Sequence, residues 1–380
     1  MTEAPEPAIP EPAMPEPAIP GSAIPGPAIP EPAIRTEGAS HPATAGEASL
    51  DRGAFVISID TEMAWGEAHR RDGTAGSHDF AAEREVIDGI LAVFARHGIS
   101  ATWAIVGHLF LDSCERGPDG RAHPDVARPD YAWLDGDWFD IDPCSRVDDA
   151  PYWYGPDIVA AVAGCAAPQE IGCHSFSHVI VDDPACTPEV FASELACAQS
   201  VARASGVDGL RSFVYPRNAI GQVERLAEHG FGCYRGGRPT AAFAGESGWR
   251  RRALAAVDKV RPVAGSAVRP AWHPGGVWNV PQTYLFAPAT SGRRLPPALW
   301  VRRPLARLHQ AARHRSLFHL WFHPYNVTAA PERSLDALDR ICAAAARLRD
   351  AGRLDVVTMG DLAARLDATR LDPSRLDAAP

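Results

Sequence analysis

Between residues 55 and 359, short apolar runs alternate with longer stretches whose apolar residues return every three or four positions. FVISID (55–60) is β-rich, AAEREVIDGILAVFARHG (81–98) has helical spacing and ends in Gly98, and ISATWAIVGHLF (99–110) is β-rich again. The alternation continues through QEIGCHSFSH (169–178), the helical TPEVFASELACAQSVARASG (187–206), LRSFVYPRN (210–218), the helical GQVERLAEHG (221–230) and GCYRGG (232–237). VWNVPQTYLF (277–286), SLFHLWFHP (316–324), the helical RSLDALDRICAAAARLRDAG (333–352) and RLDVVTM (353–359) complete it. No two strand-like runs are joined by a two-residue hairpin. The pattern therefore predicts an α/β fold, a parallel sheet covered by helices, and with about seven or eight strands a closed (β/α) barrel over residues 53–365.

Two stretches break the rhythm, and both read as insertions into the barrel. Residues 112–155 are acidic and aromatic, and residues 236–275 are rich in Gly, Arg and Ala. Long irregular segments in compact domains are commonly functional, so the first reads equally as a lid that stacks on sugar rings or as a loop whose Trp and Tyr pack on the barrel rim. The chain ends differ again. Over 6–34 a five-residue unit of the EPAIP type recurs; proline at that density forbids helix, and a period of five fits neither helix nor strand. Residues 1–52 are expected to be a disordered Pro-rich tail and linker, and 366–380 a C-terminal tail.

Composition narrows the function. The chain of 380 residues carries a formal net charge of −10, which argues against a nucleic-acid surface, since phosphate binding needs an excess of Lys and Arg. No apolar run is long enough to span a bilayer and the N-terminus lacks the basic and apolar regions of a signal peptide, so a cytoplasmic location is expected. The 8 cysteines are scattered with no CxxC pair, and most are expected to be small core residues.

Candidate chemistry gathers at predicted strand ends. A His-x-x-x-His pair such as His174 and His178 is a weak signal alone, because one helical turn brings any such pair together. In SIDTE, however, Asp60 and Glu62 alternate to the same side at the end of the first barrel strand, and His323 stands at the end of a late one. The C-terminal ends of parallel strands are where barrel enzymes keep their reactive groups. Two imidazoles and a carboxylate form a common ligand set for catalytic Zn²⁺, with Co²⁺, Mn²⁺ or Ni²⁺ as alternatives, and a second carboxylate is then free to act as a base. About one divalent ion per chain is expected.

The order D-x-E, E-I-G-x-H-S-x-S-H, R-S-F-V-Y-P-R-N and a strand-end His-Pro resembles the polysaccharide deacetylase family, the NodB-type carbohydrate esterases, over roughly residues 54–360. That resemblance implies a distorted (β/α) barrel of about seven strands and a metal-dependent hydrolase that removes an acetyl group from an N-acetylated or O-acetylated sugar through a metal-activated water. By it His174 and His178 are metal ligands. The family's usual first motif has adjacent aspartates, whereas Thr61 follows Asp60 here, so Asp60 is assigned as base and Glu62 as ligand, with the reverse left open. Arg217 in YPRN is expected to pair with the catalytic aspartate, Arg211 being the alternative, and His323 to serve as general acid, with His319 in a supporting place. A hydrolase of a small non-sugar amide, as in allantoinase-like members, and an inactive carbohydrate-binding homologue are the competing readings.

Overall fold

The computed structural model describes residues 45–70, 79–237, 267–287 and 297–371. The repetitive N-terminal stretch, most of the second insertion and the residues after 371 lie outside the described residues. Among the described residues a single mixed sheet of 11 strands forms the frame. In chain order these are β1 (Ala45–Glu47), β2 (Gly53–Thr61), β3 (Thr102–Ile105), β4 (Glu170–Cys173), β5 (Ser212–Val214) and β6 (Cys233–Arg235). Then come β7 (Ala271–His273), β8 (Val277–Asn279), β9 (Tyr284–Leu285), β10 (Leu317–Phe322) and β11 (Leu354–Val356).

Strand β2 is the spine because GAFVISIDT is almost wholly apolar or β-branched and every residue of it is buried. Along one edge it pairs parallel with β10; along the other it pairs with β11 through Gly53, Ala54 and Phe55, and with β3 from Ser58 onward. Gly53 is required there, since a Cβ would sit 2.4 Å from the Ala311 carbonyl oxygen. From β3 the sheet runs through β4, β5, β6 and β8 in parallel, and only β7 and β1 join it antiparallel. The first helix, α1 (Phe80–His97), starts on the Asp79 side chain, which accepts the Ala82 N–H at 3.0 Å, and stops at Gly98 with φ 59°. Its Val86, Ile87, Ile90 and Phe94 share the core with Ala337, Leu338, Ile341 and Cys342 of the long helix Pro331–Asp350.

The regular strand pairings do not close into the expected seven-strand barrel; they form an open sheet. The stretch 277–286 explains the difference. Its first half bonds β6, through Val280 N–H to Tyr234 O and Gln282 N–H to Gly236 O, and its second half bonds β10, through Thr283 N–H to His319 O and Phe286 N–H to Trp321 O. Pro281 interrupts the run between β8 and β9, so one predicted strand becomes two short ones that face different neighbours. At the expected domain edges, Ala45–Glu47 is a strand inside the segment read as linker, and the helix Met359–Arg370 runs past residue 365.

The first insertion is ordered largely without regular elements. Its Tyr131, Trp138, Phe139 and Tyr154 are buried, and only Trp133 and Tyr152 are substantially exposed. Of the two readings of this segment, the packing one describes its aromatics. Of the cysteines, Cys173, Cys186, Cys233 and Cys342 are buried and Cys114, Cys144, Cys165 and Cys197 half-buried, all as free thiols.

Candidate active site

Four strand ends bring the candidate side chains to one mouth, as the parallel pairing of β2 to β6 with β10 requires. Asp60 is the penultimate residue of β2 and Glu62 follows it; His323 follows β10; Arg235 ends β6; the loop with His174 and His178 follows β4. This loop is tightly specified. Gly172 lets β4 pass close to Thr102 and Ser212, and Ser175 and His178 take the left-handed backbone at φ 58° and 64°. A left-handed conformation is unfavourable for such residues and persists only where neighbours impose it. Here Glu194 imposes it: its carboxylate accepts the N–H groups of Phe176 at 2.9 Å and Ser177 at 2.8 Å and the Ser177 hydroxyl at 2.6 Å.

The sequence-predicted Glu62, His174, His178, Asp60 and His323 lie together. Glu62 Oε1 stands 3.0 Å from His174 Nε2, 3.3 Å from His178 Nε2 and 3.2 Å from His323 Nε2. His174 donates its Nδ1–H to the Val214 carbonyl at 2.7 Å, which leaves a bare Nε2 lone pair facing a carboxylate oxygen. His178 Nε2 is buried without a hydrogen-bond partner of good geometry. Acceptors aimed at one another in a buried site are costly unless a cation lies among them. The donor types and the orphaned nitrogen thus fit a divalent ion held by Glu62, His174 and His178.

Asp60 is gripped by Arg235, whose Nη1 and Nη2 donate to Oδ1 and Oδ2 at 2.5 and 2.6 Å. The same guanidinium donates to Ser58 Oγ at 3.0 Å and Asn218 Oδ1 at 3.2 Å and lies 4.5 Å over the Trp321 ring. Arg217, expected in this role, is on a 3-10 turn after β5 with φ 55°, and the arginine on Asp60 is not this one. Arg211 precedes β5, at the opposite end of the strand from the mouth. The sequence signal for Arg235 was only its place in GCYRGG, just before the two glycines. His319 is buried in a supporting position, its Nε2 2.8 Å from Ser58 Oγ, and burial holds it down to about 3.

Electrostatics separate the acids from the bases. Burial pushes the Asp60 carboxyl up, but Arg235 and His323 outweigh it and hold the group below its ordinary value. Burial acts likewise on Glu62, and His323 and His178 bring it well below the usual range. For His323 burial favours the neutral ring, yet Glu62 and Asp60 raise it to about 9. His69, not singled out in the sequence, is brought down to about 4 by burial and then by the charges of Arg217 and His178.

No family model matches the sequence, and no curated protein matches it. A solved protein of Mycobacterium smegmatis, described as a candidate polysaccharide deacetylase, is similar with a TM-score of 0.52 at 16% identity, over 87% of this chain and 96% of that one. A family 4 carbohydrate esterase of Streptomyces lividans, solved with acetate, is similar at 0.34 and 13%, over 80% and 92%. A family 4 pseudoenzyme of Bacillus anthracis is similar at 0.40 and 12%, over 85% and 69%. The first of these shows that the chain shares the fold of that protein.

Proposed function

We propose that the protein is a divalent-metal-dependent hydrolase that removes an acetyl group from an N-acetylated or O-acetylated sugar. The observation that carries the proposal is the convergence of three imidazole Nε2 atoms on Glu62 Oε1 beside an aspartate held in bidentate fashion by Arg235. The likeness in fold to the Mycobacterium smegmatis protein supports the same reaction class.

Glu62, His174 and His178 would hold the ion, a donor set that suits Zn²⁺, which would supply Lewis acidity toward an acetyl carbonyl and a water. Asp60 acts as general base: Arg235 keeps it ionised and fixes the direction of its free lone pairs, so it receives the proton of the attacking water. His323 Nε2, 3.6 Å from Asp60 Oδ2, faces the same space and delivers a proton to the leaving nitrogen or oxygen. Asn326 Oδ1 accepts the His323 backbone N–H at 2.9 Å, and the Tyr325 ring stacks on the imidazole at 4.4 Å, so the acid is held on both sides.

An acetate-release assay tests the proposal on N-acetylglucosamine oligomers, nucleotide-linked N-acetylamino sugars and O-acetylated xylan. Acetate release that stops on chelation and returns with added ion supports it. Activity confined to small amides or ureides would move the assignment to that class, and no turnover of any of them by metal-loaded protein would leave a binding role.

A further inference from the structure

The first insertion carries a second cluster of donors that the proposed reaction does not use. His108 lies on the 3-10 turn Gly107–Phe110 that follows β3, while Cys114, His123 and Asp142 belong to the insertion. Asp142 Oδ2 is 2.7 Å from His123 Nε2 and 3.1 Å from His108 Nε2, and Cys114 Sγ is 3.5 Å from the same oxygen. One ligand atom from each of these residues lies within 4.8 Å of all the others. A tetrahedral Zn²⁺ with the usual bond lengths sets its donors about 3.3–3.7 Å apart, so small adjustments would seat an ion at the centre.

Three observations point to a cation there rather than to a simple polar network. His108 is fully buried, its Nδ1 lies 2.9 Å from the Trp153 carbonyl oxygen and therefore carries the proton, and its Nε2 has no hydrogen-bond partner although a carboxylate oxygen is 3.1 Å away. That nitrogen is a lone pair aimed at a second lone pair in a buried space. His123 adopts the left-handed backbone, φ 46°, a cost accepted where a side chain must be aimed. The charges also sum correctly: a divalent ion with one thiolate, one carboxylate and two neutral imidazoles is a neutral unit, which suits surroundings made of Trp65, Tyr154, Phe139 and Phe176 rings.

We propose that His108, Cys114, His123 and Asp142 form a structural Zn²⁺ site that pins the insertion at 112–155 to the end of β3. On binding, the Cys114 thiol gives its proton to solvent and sulfur becomes the fourth ligand, closing the coordination shell so that no position is left for substrate. The Phe176 ring, in the loop between His174 and His178, packs on both imidazoles at 5.7 and 5.1 Å, so the ion also braces the candidate active site from behind.

The test uses the full chain and does not depend on catalysis. The protein is stripped with a chelator and reloaded with Co²⁺, whose bond to a thiolate gives a near-ultraviolet charge-transfer absorption that the sulfur-free Glu62 set cannot produce. Wild type is expected to show that band and to hold about two divalent ions per chain by elemental analysis. His178→Ala should retain the band with about one ion, and Cys114→Ser should lose it. Wild type without the band, or with a single ion that disappears in His178→Ala, overturns the proposal, as does a Cys114–Cys144 disulfide found by mass spectrometry in the protein as isolated. Should Cys114→Ser not fold, the wild-type cobalt spectrum alone decides.

Discussion

Arg235 and Asp60, 175 residues apart in sequence, meet across the mouth of the sheet in a bidentate pair buried from solvent. The guanidinium occupies one side of both carboxylate oxygens and is itself fixed by Ser58, Asn218 and the Trp321 ring. Asp60 is thereby denied rotation as well as protonation, and its remaining lone pairs point in one set of directions.

Arg235→Lys should therefore separate charge from geometry. Lysine keeps the positive charge but not the fork, so turnover is expected to fall on the order of 10²-fold at neutral pH while metal content stays at the wild-type level. Arg235→Ala should in addition destabilise the fold by about 3–5 kcal/mol, because it leaves a buried carboxylate without its partner. Arg217→Ala is the control. If it lowers turnover more than Arg235→Lys does, the arginine that serves the base has been misassigned.

The two carboxylates should give different defects when each becomes its amide. Asp60→Asn should retain the ion yet lose turnover on the order of 10²-fold or more, the usual contribution of a general base. Glu62→Gln should weaken metal binding, with activity partly restored by excess ion. Metal affinity and turnover measured on both variants decide the matter, and loss of the ion from Asp60→Asn with retention in Glu62→Gln would reverse the roles.

What the sequence disclosed follows from which constraints are local. Asp60, Glu62, His174, His178 and His323 were legible because parallel pairing puts strand ends at one mouth, and a strand end can be read from a short apolar run. Arg235 was not, because its role is a single long-range pair, 175 residues from Asp60, that no local pattern around it announces. The donors His108, Cys114, His123 and Asp142 were hidden for a related reason: their spacings of 6, 9 and 19 residues match no compact ligand motif, and the loop that gathers them has no periodicity to read. The strand at 277–286 was found, but its division by Pro281 between two neighbours depends on the curvature of the whole sheet.

Glu83 makes a prediction about pH. It is buried on α1 with Oε2 unpartnered, and burial, followed by the charge of Glu62, raises it to about 8. An acid whose folded pKa is raised binds its proton more tightly in the folded state. Its contribution to stability is thus complete below the unfolded value near ~4.3 and is lost as pH climbs toward about 8, at about 1.4 kcal/mol per pH unit within that window. Glu83→Gln removes the titration. Its melting temperature should match wild type near pH 4, exceed it increasingly up to pH of about 8 and run parallel beyond. A constant offset across the whole range would show that Glu83 does not titrate with folding.

Glu194 should control metal affinity without touching the metal. Its carboxylate holds the Phe176 and Ser177 N–H groups and so maintains the left-handed turns at Ser175 and His178 that aim the two imidazoles. Glu194→Ala leaves two buried N–H groups unpaired, at about 1–3 kcal/mol each, and frees the loop to relax away from the left-handed region. Glu194→Gln keeps an oxygen for the two amides, while its Nε2–H₂ can donate to Ser177 Oγ once that hydroxyl turns. Chelator competition on the two variants is the measurement. Glu194→Ala should bind the active-site ion on the order of 10–100-fold more weakly, the usual effect of removing a group that orients a ligand, and Glu194→Gln should stay close to wild type. Equal affinity in all three proteins would mean that the loop holds its shape by packing alone, with Trp138 and Tyr131 of the insertion, bonded to Ser177 and Ile180, as the groups that hold it.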